Sequence, residues 1–298
     1  MEQNMIHEKA CPICGHASFF SRGHFVDHMV SKEIFEIQEC ENCRVLFTSP
    51  RPKDEDLGKY YESNEYLSHT DSSRTFFEKV YRLIKNIALQ KKERLIRKFS
   101  PTGANLVDYG CGTGEFLSTC REKGWVVKGF EPSLKAAEIA RLKNEVPVED
   151  PSVFVDLQDR SLDVITLWHV LEHLPDPVEK MEMFHMKLRD QGKLIIAVPN
   201  HESYDAQVYG KDWAAWDVPI HLFHFSKSSM NFLAEKSGFK VSQVINMPFD
   251  SFYVSLLSEE YLHGNKRWIS ALWTGLRSNL KGFGHKNASS LIYVLEKQ

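Results

Sequence analysis

The residues of this 298-residue chain best suited to chemistry fall into three groups. Cys11-Pro-Ile-Cys14 and Cys40-Glu-Asn-Cys43 are two tight thiol pairs, the spacing of a metal ion gripped by two short loops. Gly110-Cys111-Gly112-Thr-Gly114 is a glycine turn, and the carboxylate of Glu131 follows 21 residues after Gly110. His169-Val-Leu-Glu172-His173 and, further on, His221-Leu-Phe-His224 offer imidazoles and a carboxylate for proton transfer or metal binding.

Each group has its own logic. Four thiolates are the closed tetrahedral set that structural Zn²⁺ prefers, and four filled positions leave none open for catalysis. A redox role would need one pair opening a helix in a thioredoxin-like context, which the surrounding pattern lacks; a disulfide or iron–sulfur role stands as the alternative. Cys120 is read as an ordinary buried residue, and so is Cys111 despite its place in the glycine turn.

Glycines at such a turn allow a tight bend and a close ligand approach. A dinucleotide fingerprint would put its third glycine at position 115, but Glu115 stands there and would repel a pyrophosphate. The phase is GxGxG instead. Glu131 sits where a carboxylate can accept both hydroxyls of a ribose.

These groups need a scaffold, and the pattern supplies one. Strands are predicted at Asn105–Tyr109, Val126–Glu131, Leu162–Trp168, Lys193–Val198, Phe239–Ile245 and Ser290–Leu295. Helices are predicted at Gly114–Lys123, Ser133–Lys143, 178–189, 227–237, 252–262 and 266–280. Alternation of this kind gives a doubly wound α/β sheet, and the 162–168 and 193–198 runs are apolar enough for buried parallel strands. Before it lie a cysteine-bearing module over residues 1–50 and a linker over 51–100, and the α/β domain takes 101–298. The linker holds a tyrosine-rich stretch, Tyr60–His69, and an amphipathic helix from Thr75 to Phe99.

Bulk properties narrow the class. The chain is 42% hydrophobic and 26% charged, as soluble globular proteins are. A net charge of −3 disfavours a large nucleic-acid footprint. No basic, apolar leader opens the sequence and no apolar run suits a bilayer span, so cytoplasm is the expected location and no membrane partner is expected. The run Trp268–Leu276 is read as core or as a homodimer contact rather than a membrane anchor.

With these residues in place, 101 to about 245 resembles the class I S-adenosylmethionine-dependent methyltransferases. The matching pieces are Val-Asp108-Tyr-Gly110-Cys111-Gly112-Thr-Gly114, Gly-Phe-Glu131-Pro and Leu162–Pro177. The resemblance implies a Rossmann-like seven-stranded sheet preceded by a small zinc-ribbon module. It implies S-adenosylmethionine as cofactor, with the glycine loop backing its methionine part and Glu131 holding the ribose. Asp108 would organise the loop and approach the methionine ammonium, while Trp168 and His169 would line the cofactor.

Methyl transfer from a sulfonium is an in-line displacement, and a hydroxyl or carbon-acid acceptor must lose its proton to a base. The segment Trp213–Ser226 resembles that of zinc-containing C-methyltransferases acting on nucleotide-linked deoxysugars, whose histidine base follows a glutamate. His221 matches the histidine, but Ile220 stands at the glutamate position. That resemblance implies a small-molecule acceptor, a sugar or sugar nucleotide, with His221 as base, and it places Tyr66 of the linker near the site. Two other readings stay open. Ubiquinone-pathway and small-RNA-end methyltransferases carry Glu-x-x-Glu-His and bind Mg²⁺, which suggests a metal-assisted O-methyltransferase using Glu172, His173 and His221, although His169 replaces the first carboxylate. Zinc ribbons also precede RNA base methyltransferases.

Overall fold

The computed structural model describes residues 5–61, 76–101 and 103–298. Five strands build the N-terminal module: β1 (Met5–Ile6), β2 (Phe19–Val26), β3 (Ile34–Cys40), β4 (Leu46–Thr48) and β5 (Arg51–Pro52). β1 and β5 pair with each other, while β2, β3 and β4 form an antiparallel meander. Period-2 alternation in β3 buries Phe35 and Ile37 on one face and leaves Ile34 exposed at the start.

Helix α1 (Phe76–Ile96) leads into the larger domain and buries Leu95 and Ile96 against it. There follow β6 (Asn105–Tyr109), α2 (Glu115–Glu122), β7 (Val126–Phe130), α3 (Leu134–Lys143), β8 (Val148–Glu149), β9 (Leu162–Trp168), α4 (Pro177–Lys187) and β10 (Leu188–Pro199). The chain continues through α5 (Tyr204–Tyr209), β11 (Phe223–His224), α6 (Lys227–Lys236), β12 (Phe239–Met247), α7 (Asp250–His263), α8 (Trp268–His285) and β13 (Ser290–Lys297).

Seven strands form one sheet in the order β12-β13-β10-β9-β6-β7-β8. β13 runs antiparallel to both neighbours and the remaining pairs are parallel. Strand order reverses between β6 and β9, so a crevice opens at their carboxyl ends, where open α/β sheets bind ligands. Ile165, Leu167 and Leu194–Ala197 are wholly buried, as expected of strands covered on both faces. Phe154 packs edge-on against Tyr109, Phe184 and Phe130, with ring centroids 5.0–5.4 Å apart.

Most predicted boundaries hold within a few residues, but α8 runs five residues past its expected end, α5 is not among the expected helices, and three further differences stand out. β8 is two residues long and was not expected; so brief a strand carries no periodicity. β10 starts at Leu188, five residues early, because its first pairing with Leu162 precedes a register shift. β11 pairs antiparallel with β4, Phe223 opposite Phe47, so the module's sheet takes its fourth strand from far along the chain. Cys11, Cys40, Cys43, Phe47, Ile165, Leu167 and Phe225 belong to one continuous core.

Helix α8 departs from its expected burial. Ala271, Thr274, Gly275, Ser278 and Gly282 face inward, while Ile269, Leu272, Trp273, Leu276, Leu280 and Phe283 are exposed. The core reading of this run is therefore corrected. A Cβ at Gly275 would come within 2.7 Å of the Phe252 ring on α7, so the contact is too close for large side chains.

Candidate active site

The glycine turn follows β6 into the crevice with Gly110, Gly112 and Gly114 at φ +76°, +53° and +76°. A Cβ at Gly110 would lie 2.4 Å from Val170 Cγ2, and one at Gly114 2.6 Å from Val146 Cγ2. Gly112 faces open space, as a ligand-bearing position would. Glu131 holds the turn: its carboxylate accepts from Gly112 N at 2.8 Å and from Ser133 N at 2.9 Å. Burial raises its pKa, and those two amides partly offset the rise. The Cys111 thiol packs at Gly129 on β7, away from the crevice, and burial raises its pKa.

Asp108, at the end of β6, is buried and accepts a 2.6 Å bond from Thr166 Oγ1 on β9. Burial pushes its pKa up to about 7, although the Thr166 bond and the Lys92 ammonium act the other way. Lys92, from α1, lies 4.3 Å over the Trp168 ring. Burial lowers its pKa, and Asp250 and Asp108 oppose that effect. Trp168 also meets Phe116 edge-on, while its buried Nε1 has no hydrogen-bond partner among the described residues.

His169 begins the turn after β9 at φ +58°, a left-handed conformation uncommon outside glycine. Its Nε2 lies 2.8 Å from Asp250 Oδ2 and its Nδ1 3.3 Å from Glu172 Oε1. Burial works against the imidazolium, but the two carboxylates prevail and raise its pKa to about 10. His169 thus lies between two carboxylates.

Glu172 and His173 lie on the next turn, and the loop carrying His221 is tied to it by Leu222 N donating to Glu172 O at 2.8 Å. His173 Nδ1 lies 2.9 Å from Ile220 O and 3.1 Å from the Tyr61 hydroxyl. His221 Nδ1 lies 3.0 Å from Ala215 O. A carbonyl only accepts, so in both rings Nδ1 carries the proton and Nε2 the lone pair. Burial, followed by the neighbouring His173 and His224, holds His221 well below the usual imidazole range. Burial likewise lowers His173. One ligand atom from each of Glu172, His173 and His221 lies within 4.8 Å of the others. The Glu172 carboxylate is buried with neither oxygen in hydrogen-bond geometry among the described residues; the 3.3 Å approach of His169 is an ion-pair contact only.

The module supports this loop. Thr48 Oγ1 donates to His221 O at 2.8 Å, and Thr48 N donates to Leu222 O at 3.0 Å. Trp213 is anchored by its Nε1–H to buried Asp205, which also accepts from Ser278 and Ser289. The four cysteine sulfurs converge with Sγ–Sγ separations of 3.5 Å for Cys11–Cys43 and 3.4 Å for Cys14–Cys40, and none forms a disulfide. Gly15 and Arg44, each next after a pair, share the left-handed conformation at φ +75° and +61°. The two pairs are thus equivalent knuckles.

The structure therefore brings Glu172, His173 and His221 together and sets Asp108, the glycine loop, Glu131, Trp168 and His169 around one crevice. Tyr66 lies outside the described residues; its near neighbour Tyr61 reaches His173. Lys92, Asp250 and Tyr61 are site residues that sequence reasoning missed, although Tyr61 belongs to the same tyrosine-rich stretch.

Known proteins resemble this chain in its larger domain. A family described as a methyltransferase domain matches residues 63–244. A ubiquinone biosynthesis O-methyltransferase of Nitrosospira multiformis is 27% identical over 161 residues, covering 50% of this chain and 67% of the relative. The magnesium protoporphyrin IX methyltransferase of Synechocystis, solved with bound S-adenosylhomocysteine, shares the fold at a TM-score of 0.54 and 13% identity, over 82% of this chain and 100% of that one. An S-adenosylmethionine-dependent methyltransferase of Thermotoga maritima does so at 0.51 and 23% identity, over 75% and 97%. The matched family spans well over half of the chain, which belongs to the methyltransferase-domain family and is an S-adenosylmethionine-dependent methyltransferase.

Proposed function

We propose that the chain methylates a hydroxyl or carbon acid of a small molecule, with His221 as the base. The observation that carries this reading is the state of His221: buried, neutral, its Nδ1 tied to Ala215 O and its Nε2 lone pair available. S-adenosylmethionine supplies the electrophilic methyl. Gly110–Gly114, Asp108 and Glu131 would hold it, and the open space at Gly112 and the orphaned Trp168 Nε1 fit such a ligand. His221 Nε2 takes the acceptor's proton, and the Glu172 carboxylate beside it stabilises the imidazolium. Glu172 thereby fills, from another element, the role that a glutamate at position 220 would have had. The order of cysteine module, tyrosine-rich linker and catalytic domain supports a sugar or sugar nucleotide as acceptor. The converged, unbridged thiols support structural Zn²⁺ in the module.

The test is a panel of sugar nucleotides with mass-spectrometric detection of the added methyl. His221→Ala should lower kcat by about 10²–10⁴ with cofactor affinity held within about threefold. Undiminished turnover in that variant would sink the reading.

A second reading draws on the unpaired Glu172 carboxylate and the two Nδ1-anchored histidines, the outer-shell pattern of metal-ligating imidazoles. Glu172, His173 and His221 would then hold a divalent ion that lowers the pKa of an acceptor hydroxyl. The O-methyltransferase relatives favour it. Turnover that vanishes with chelator and returns with Mg²⁺ or Mn²⁺ supports this reading over the first; indifference to chelator rejects it.

A further inference from the structure

Helix α8 is built inside out. Its inward face is Ala271, Thr274, Gly275, Ser278 and Gly282, and its outward face carries the large apolar side chains. Ile269 is 87% and Phe283 85% exposed, and Leu272, Trp273, Leu276 and Leu280 complete a stripe along the same side. No described residue covers it. From Gly264 to Lys286 the sequence has five basic residues, Lys266, Arg267, Arg277, Lys281 and Lys286, and no Asp or Glu. An apolar stripe bordered by cations, with aromatic and branched side chains outward, is the composition of helices that lie in the plane of a membrane surface. No helix among the described residues is long and apolar enough to cross a membrane, so this one would lie on the surface rather than span it.

We propose that α8 docks this methyltransferase on a bilayer containing anionic phospholipid. Charge selects this occupant over a second copy of the chain. Two copies meeting face to face would bring their cations together with no acid on either helix, whereas acidic headgroups match them. The helix also lies close to the crevice: Ser251 Oγ donates to Gly275 O at 3.2 Å, and the adjacent Asp250 holds His169 at 2.8 Å. A docked α8 therefore brings the crevice to the headgroup layer, within reach of acceptors carried on lipids.

The experiment is co-sedimentation of the full chain with vesicles of phosphatidylcholine alone and of roughly 3:1 phosphatidylcholine to phosphatidylglycerol. Partitioning should be at least about tenfold stronger on the anionic vesicles and should weaken with salt. The double variant Ile269→Glu, Phe283→Glu should lose about tenfold or more, as should Arg277→Glu, Lys281→Glu, while each keeps the wild-type circular dichroism and cofactor binding. Failure to sediment with anionic vesicles, or folded variants that bind as the wild type does, overturns the proposal. So does a lipid-free dimer in sedimentation velocity that Ile269→Glu dissociates, because a second copy would then own the face.

Discussion

The hydroxyl of Thr48 donates to the carbonyl oxygen of His221 at 2.8 Å, which fastens the cysteine module to the loop of the candidate base. Thr48→Val keeps the shape and removes the donor. It should cost about 1 kcal/mol of stability. It should also lower kcat by about tenfold with cofactor affinity within about threefold, because only the base is displaced. Thermal unfolding and steady-state kinetics read the two effects separately.

If the four thiols hold zinc as proposed, its loss should act by the same route and more strongly. Cys43→Ser leaves three thiols, and zinc content measured by elemental mass spectrometry should fall well below one per chain. S-adenosylmethionine binding should outlast turnover as chelator is raised, since the glycine loop and Glu131 lie on the larger sheet. Simultaneous loss of both would mean that the module also supports the cofactor crevice.

Asp108 gives a pH dependence with a defined sign. Its folded pKa, raised to about 7, exceeds the usual carboxylate value near 4. Between these values the folded chain binds more protons than the unfolded one. The ligand-free protein should therefore lose stability as pH rises through this window. A cofactor ammonium favours ionised Asp108, so below pH 7 affinity should weaken by about tenfold per unit. Asp108→Asn should flatten both profiles in calorimetry.

The glycines separate steric from ligand effects. Gly110→Ala drives a methyl to 2.4 Å from Val170 at a left-handed φ and should destabilise by several kcal/mol, by about 3 or more. Gly112→Ala meets no protein atom within 4 Å and should cost only about 1–2 kcal/mol for its φ. If the open space there belongs to the cofactor, Gly112→Ala should still lose affinity by tenfold or more. Tight binding by that variant would move the cofactor elsewhere.

Asp205 tests the far anchor of the loop. Alanine there leaves Trp213 Nε1 and the hydroxyls of Ser278 and Ser289 without their acceptor inside the protein. A loss of about 3 kcal/mol is expected in denaturant unfolding.

Much of the crevice was legible in the sequence because its parts are local. A strand, a glycine turn, a helix and an acid at the next strand's end follow one another within 27 residues of Asn105 to Glu131. What escaped was non-local or degenerate. The two-residue β11 has no periodicity of its own, and its partner β4 lies at the other end of the chain. Asp250 and Lys92 enter the crevice from helix ends whose sequence names no target. In α8 small and large residues recur at the same helical spacing, so periodicity alone did not tell which face looks inward. The tie to α7 decided it.

The pairing of β11 with β4 also dictates an order of events as the chain is made. The four module cysteines and β2 to β4 leave the ribosome well before β11, since His224 follows Thr48 by 176 residues. Until it emerges, one edge of β4 stays open to any other extended strand. A metal captured early would fold the knuckles long before their sheet could be completed. Chains stopped short of Phe223 should accordingly be the sticky ones, while those that pass it carry their own edge cover.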